Sequence, residues 1–270
     1  MIHIDLRLAQ RVEHLEALNL SDYALTQAQQ MPASNAAILP IGDGIAAFAR
    51  ADWPVNAAAG LGIGNNAFQS EQLDELEAFY AQFGVEPRVM VCPFTDRDLL
   101  QQLGRRGYYI AQFMNVHVRA FSPEDTAAHM TPDIHVAIAS EAEAETWALV
   151  NVRSGRGEDD IPADDKWLAL SRVAIARPCV TGFIAWVDGE PAGSAALCMR
   201  DGVATLFSTS THPSFRRRGV QTALIRARLA HASAAGCDIA IVTTSPGSDS
   251  QRNVQRYGFD VSYTRVTMTR

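Results

Sequence analysis

The feature that most limits the fold is a pattern the chain states twice. One copy runs "GVEPRVMVCPFTDRDLLQQLGRRGYYIAQFMNVHVRAF" from Gly84, the other "GCDIAIVTTSPGSDSQRNVQRYGFDVSYTRVTMTR" from Gly236. Each reads as a glycine, a short apolar strand, a proline-containing loop, a helix, a glycine-aromatic pair and a long closing strand. The pairs are Gly107-Tyr108 and Gly258-Phe259, at nearly equal distances from their opening glycines. A helix precedes each copy, "SEQLDELEAFYAQF" in the first and "VQTALIRARLAHASA" in the second. An internal duplication is the economical explanation, and it predicts an α/β (α+β) chain in two halves.

The segment "RAFSPEDTAAHMTPDIHV" (Arg119 to Val136) is polar, carries two prolines and separates two apolar runs. It reads as a linker, giving expected domains 1–121 and 134–270 around residues 122–133. With 270 residues, 47% apolar and 20% charged, the chain has the composition of a soluble globular protein. A net charge of -7 argues against broad nucleic-acid binding, so any basic site must be local. No apolar run has signal-peptide or membrane-span length, and a cytoplasmic protein with no membrane contact is the expectation. Cys92, Cys179, Cys198 and Cys237 lie far apart with no CxxC or Cys/His cluster. They read as reduced, buried thiols, with no metal site.

The local basic site is "STSTHPSFRRRGVQTALIRARL" (Ser208 to Leu229), where Arg216, Arg217 and Arg218 run directly into Gly219. Before it, "GFIAWVDGEPAGSAALCMRDGVATLFSTSTHP" reads as three strands joined by turns at Asp188-Gly189 and Asp201-Gly202. After it, Val220, Ala223, Leu224, Ala227, Leu229 and Ala230 make an apolar helical stripe, with Arg226 and Arg228 read as lying off it. Strand, arginine-glycine loop and helix start form an anion site. The first backbone N–H groups of a helix lack partners, the dipole is positive there, and glycine lets a phosphate approach. No P-loop or G-x-G-x-x-G spacing is present. In the first half "GLGIGNNAFQ" holds the corresponding place with Gly60, Gly62 and Gly64, no lysine or arginine nearby, and reads as a flexible loop.

The stretch resembles the acetyl-CoA-binding motif of the GNAT superfamily of N-acyltransferases, [RQ]-x-x-G-x-[GA]. Arg216 matches the first position and Gly219 the glycine, while Gln221 departs from the small residue at the end. The resemblance covers Ile134 to Arg270 and implies two GNAT-like domains, each a mixed, mostly antiparallel sheet flanked by helices. It implies an acetyl-CoA cosubstrate bound by Thr209, Ser210 and Thr211 on the strand and by Arg216, Arg217, Arg218, Gly219, Val220, Gln221 and Thr222 in the turn. The first half lacks the arginines and reads as a degenerate copy, a scaffold or part of an acceptor pocket through "WPVNAAAGLGIGNN" (Trp53 to Asn66).

Amine acylation needs a neutral amine, donors for the developing oxyanion and an acid for the thiolate. The family's usual acid, a tyrosine four residues before the Gly of Gly-Phe, is here Val254. Ser250 and Asn253, on the same expected helix, are the alternatives, and Tyr257 reads as packing. Glu158, with Asp159 and Asp160 in "SGRGEDDIPADDKW", is the candidate base and attractor of a cationic amine; a solvated acidic loop is the other reading. Glu190 reads as a turn residue and His212 as packed. The expected function is acetyl transfer to the amine of a small molecule, an amino-acid-like metabolite or antibiotic-like amine, by a monomer or homodimer. A silent acyl-CoA sensor is the alternative; phosphate or nucleic-acid binding by the arginines alone fits poorly with the charge and the absence of interleaved aromatics.

Overall fold

The computed structural model describes residues 2, 4–64, 68–126 and 133–270. Their helices are α1 (Leu6–Gln30), α2 (Ser70–Ala81), α3 (Arg97–Arg105), α4 (Ala144–Arg156), α5 (Lys166–Ala176), α6 (Val220–Ala234) and α7 (Asp249–Gln255). The strands are β1 (Ala37–Ile41), β2 (Gly44–Phe48), β3 (Ala57–Ala59), β4 (Arg88–Val91), β5 (Tyr109–Ala120) and β6 (Ile134–Ile138). They continue as β7 (Val180–Val187), β8 (Glu190–Arg200), β9 (Val203–Thr211), β10 (Ile239–Thr244) and β11 (Asp260–Thr269). The repeated pattern is therefore real at the level of elements: β4, α3, β5 in one copy, β10, α7, β11 in the other.

The mixed α/β character holds, but the expectation of a separate sheet in each half does not. The strands form a single 11-stranded sheet in the order β1-β2-β3-β4-β11-β5-β10-β9-β8-β7-β6. The closing strand of the second copy, β11, stands between β4 and β5 of the first. Contacts divide the chain into Met1–His117 with Thr243–Arg270 as one compact unit, and Val118–Val242 as the other. The repeat in the sequence follows a division near 122–133; the contacts follow another line. Residues 127–132 of the expected linker lie outside the described residues.

In the first unit, β11 pairs antiparallel with β4, Val266 opposite Val91. Val266 and Met268 pack on a core that includes Leu73, Leu76, Tyr80, Val89, Leu99 and Leu103. Beside that core lies a buried charge network. Arg265 bonds Glu13 at 3.0 Å and Glu16 at 3.0 Å, and the Tyr263 hydroxyl donates to Glu13 at 2.5 Å. Burial alone would depress the Arg265 pKa, but the carboxylates of Glu13 and Glu16 hold it well above its ordinary value. Gly60 to Ile63, read as flexible, is buried instead. A Cβ at Gly60 would meet Gly44 and Ala17 of α1, one at Gly62 would meet Leu99 of α3, and Leu61 and Ile63 are buried, so Gly60 and Gly62 serve close packing. Trp53 is also buried, and Asn56 spends its amide on Ala49 N and Arg50 O. Asn65 and Asn66 lie outside the described residues.

In the second unit, β6 to β9 form an antiparallel meander. The two Asp-Gly turns are as expected, with positive φ at Asp188, Gly189, Asp201 and Gly202, the mirror-image turn that suits strand twist. Trp147, Ala148, Leu168 and Ile184 form the core between α4, α5 and the sheet. The four cysteines are not all the reduced thiols that the sequence had suggested. Cys179 and Cys198 form a disulfide across the β7–β8 hairpin, because the register that sets Val180 opposite Cys198 brings their Cα atoms to 4.9 Å. Cys92 and Cys237 are free and buried.

Candidate functional site

The arginine turn sits where strand gives way to helix in the second unit. Pro213–Phe215 makes one 3-10 turn after β9; Arg217 and Gly219 then take positive φ, +62° and +95°. Gly219 is the N-cap of α6; no side chain caps the helix and no acidic residue stands in its first turn. That is a helix start left to backbone N–H groups and the positive end of the dipole. Arg216, Arg217 and Arg218 are all exposed. Arg218 pairs with Asp188 at 2.9 Å and stacks over Phe215, its guanidinium 5.6 Å from the ring centroid. Arg216 and Arg217 make no ion pair among the described residues.

β9 leads into this turn with two departures from a regular ladder. It pairs in parallel with β10 only at its start, Val203–Thr205 against Ile239–Ile241, although it runs on to Thr211. On its other side the register with β8 shifts: Ser194 faces Ser210 and Ala196 faces Phe207. Ala195 alone therefore stands opposite Ser208 and Thr209, a β-bulge, and Ser208 has φ +47°. Gly193, two residues earlier on β8, lets the sheet approach α6; a Cβ there would sit 2.6 Å from Ser210 O and 2.9 Å from Val220 Cγ1.

Polar side chains close around the bulge that the sequence did not single out. Asn151 of α4 donates to the Ser208 carbonyl at 2.8 Å and to Ser194 Oγ at 3.1 Å, and accepts from Ser171 Oγ at 3.3 Å. Ser194 and Ser210 hydroxyls lie 3.3 Å apart. Arg228, read as lying off the apolar stripe, is in fact 1% exposed. Its guanidinium donates to the carbonyl of Leu224 on its own helix and to those of Ala196 and Phe207 beside the bulge. Burial pushes its pKa down to about 9.

The remaining expected residues fall as follows. Glu158 is exposed just beyond α4, 3.7 Å from Arg156. Asp159 reaches His212 Nε2 at 3.0 Å, a partnership across a separation of 53 residues that sequence could not reveal. The other nitrogen of His212 is buried and without a hydrogen-bond partner among the described residues, so it is closed to a substrate proton. Ser250 and Asn253 lie on α7, which belongs to the other compact unit from β9 and the arginine turn. Ser248 caps that helix through Gln251 N, and Val254 is buried at 5% exposure.

Residues 143–259 match the family model described as Acetyltransferase (GNAT) family. This chain carries a GNAT acetyltransferase domain. The chain is similar over its whole length to a GCN5-related N-acetyltransferase from Kribbella flavida, at 18% identity, TM-score 0.65 and 96% of that chain covered. It is similar to a tandem GNAT protein from the clavulanic acid biosynthesis pathway, at 11% identity and TM-score 0.57, over 74% of this chain and 68% of that one. A functionally unknown conserved protein from Staphylococcus epidermidis matches over 90% of this chain and 96% of its own, at 12% identity and TM-score 0.59. Identities this low establish a shared GNAT fold. No match was found among curated proteins. Among the described residues no helix is long and apolar enough to cross a membrane.

Proposed function

We propose that the GNAT domain transfers an acetyl group from acetyl-CoA to the amine of a small molecule, an amino-acid-like metabolite or an antibiotic-like amine. The observation that carries this reading is the uncapped start of α6 behind Gly219, flanked by exposed arginines and preceded by the bulged end of β9. The donor set fits a pyrophosphate: backbone N–H groups of Gly219, Val220, Gln221 and Thr222 with the guanidiniums of Arg216, Arg217 and Arg218. Thr209, Ser210 and Thr211 would take the pantetheine arm. When bound, acetyl-CoA supplies an activated acyl carbon.

The acceptor's neutral nitrogen attacks that carbon, the C–S bond breaks, and the nitrogen gives up a proton while the departing sulfur takes one. Glu158 and its acidic neighbours draw in a cationic amine and accept its proton, directly or through water. Ser250 and Asn253 are assigned to the leaving sulfur. The N-terminal half is assigned a scaffold or acceptor-side role without donor binding, since it lacks the arginines. A monomer or homodimer is assigned; for the cytoplasmic location expected from the sequence, the Cys179–Cys198 disulfide is an argument against rather than for.

The test joins calorimetry to an acceptor panel of amino acids and aminoglycoside-type amines, with thiol release as readout. Acetyl-CoA should bind the wild type, and Arg216→Ala should weaken it more than tenfold, since a charge-assisted hydrogen bond contributes about 1.5–3 kcal/mol. Unchanged affinity would remove the pyrophosphate assignment. Tight binding with no turnover on any amine would favour an acyl-CoA sensor, the reading that buried Val254 supports by leaving the usual tyrosine position without a hydroxyl.

A further inference from the structure

The bulge in β9 is held by side chains from both flanking helices. Four carbonyls at or beside the bulge, those of Ala195, Ala196, Phe207 and Ser208, face side-chain donors. Trp147 Nε1 bonds Ala195 O at 2.9 Å, and Asn151 bonds Ser208 O at 2.8 Å. Arg228 bonds Ala196 O at 3.1 Å and Phe207 O at 3.4 Å. Trp147 and Asn151 come from α4, Arg228 from α6.

Two of the terms in this arrangement are unfavourable. Ser208 is a non-glycine residue with φ +47°, a conformation that costs stability unless its surroundings impose it. Arg228 is buried with no carboxylate partner among the described residues, against the strong preference of a guanidinium for water or a counter-ion. A straight β8–β9 pair would need neither. Costs of this kind persist where the distorted backbone itself has a task.

We infer that Trp147, Asn151 and Arg228 are positioning residues that fix the β9 bulge, and with it the backbone of Ser208 and Thr209, against the donor's thioester carbonyl. This rests on the acetyl-transfer reading. Their effect passes through Ser208 and Thr209; none of the three needs to touch the acyl group. Asn151 has a second consequence: its oxygen accepts from Ser171 on α5, so the bulge and the α4–α5 pair are set together.

The experiment uses the full-length protein and Asn151→Ala, whose side chain is only half-buried, read in two ways. In steady-state kinetics kcat should fall at least tenfold while KM for acetyl-CoA stays within about twofold, because the pyrophosphate turn is untouched. In difference infrared spectroscopy with carbonyl-labelled acetyl-CoA, the wild type should shift the thioester band to lower frequency and Asn151→Ala should reverse most of that shift. The infrared reading needs no acceptor. Arg228→Lys, which keeps one donor and the charge, should retain more of the shift than Arg228→Met; if the methionine variant does not fold, Asn151→Ala and Arg228→Lys decide. A wild-type band and wild-type kcat in Asn151→Ala would overturn the inference while leaving acetyl transfer intact. A wild type that binds no acetyl-CoA would overturn both.

Discussion

At the scale of single residues, the turn before α6 holds its charges unequally. Arg216 and Arg217 stand open, whereas Arg218 is engaged by Asp188, an exposed carboxylate in the β7–β8 turn. That pair is a surface ion pair, contributing about 0–1 kcal/mol, and a pyrophosphate would have to compete with it. Asp188→Asn removes the competitor and keeps a residue type that accepts the positive φ of +54° at this position. The expected outcome is a modest gain, about two- to fivefold tighter acetyl-CoA binding by calorimetry, smaller at high salt. The arginines were legible because three like charges before a glycine stand out in an acidic chain. Arg228 was not, since periodicity assigns a charged residue on a helix to solvent. Its burial goes with carbonyls that only the fold brings to it, those of Ala196 and Phe207 on the sheet, besides Leu224 on its own helix.

At the scale of elements, α5 shows how a local signal is read and tested. Asp165 is its N-cap, accepting from Trp167 N at 2.8 Å and Leu168 N at 3.0 Å, and it also meets Arg156 at 2.8 Å. Partial burial would raise its pKa, but those N–H groups and Arg156 outweigh it and hold the carboxyl below its ordinary 3.8. The folded value is the lower one, so this stabilisation is complete above pH 3.8 and is lost as pH falls through the folded value. Asp165→Ala should cost about 1 kcal/mol at neutral pH. Chemical denaturation should show that difference shrinking as pH falls below 3.8. Hairpins were readable in the same way, because Asp-Gly pairs demand the turns they form. The β9 bulge was not: Ser208 and Thr209 are ordinary strand residues, and their offset exists only by reference to β8.

At the scale of the molecule, the repeat was visible but the partnering of its strands was not. Strand identity is local; strand order depends on which edges meet, and nothing in "DVSYTRVTMT" says that its neighbour is β4. The sign is a charged residue inside an alternating strand, Arg265, whose carboxylate partners Glu13 and Glu16 lie on α1. Residues 1–121 expressed alone should lack a cooperative thermal transition by circular dichroism. Supplying 243–270 through a flexible linker should restore it, and Arg265→Ala in that fusion should lower its stability by about 3–5 kcal/mol, the cost of stranding a buried charge. A cooperative transition in 1–121 alone would contradict this. The arrangement also sets an order of events during synthesis. Domains ordinarily fold from the N-terminus as they emerge, but here β1 to β5 leave the ribosome before β11, the strand set between β4 and β5, exists. Strands β6 to β9 of the unit carrying the arginine turn are all made before β11, so the first unit can be closed only after them.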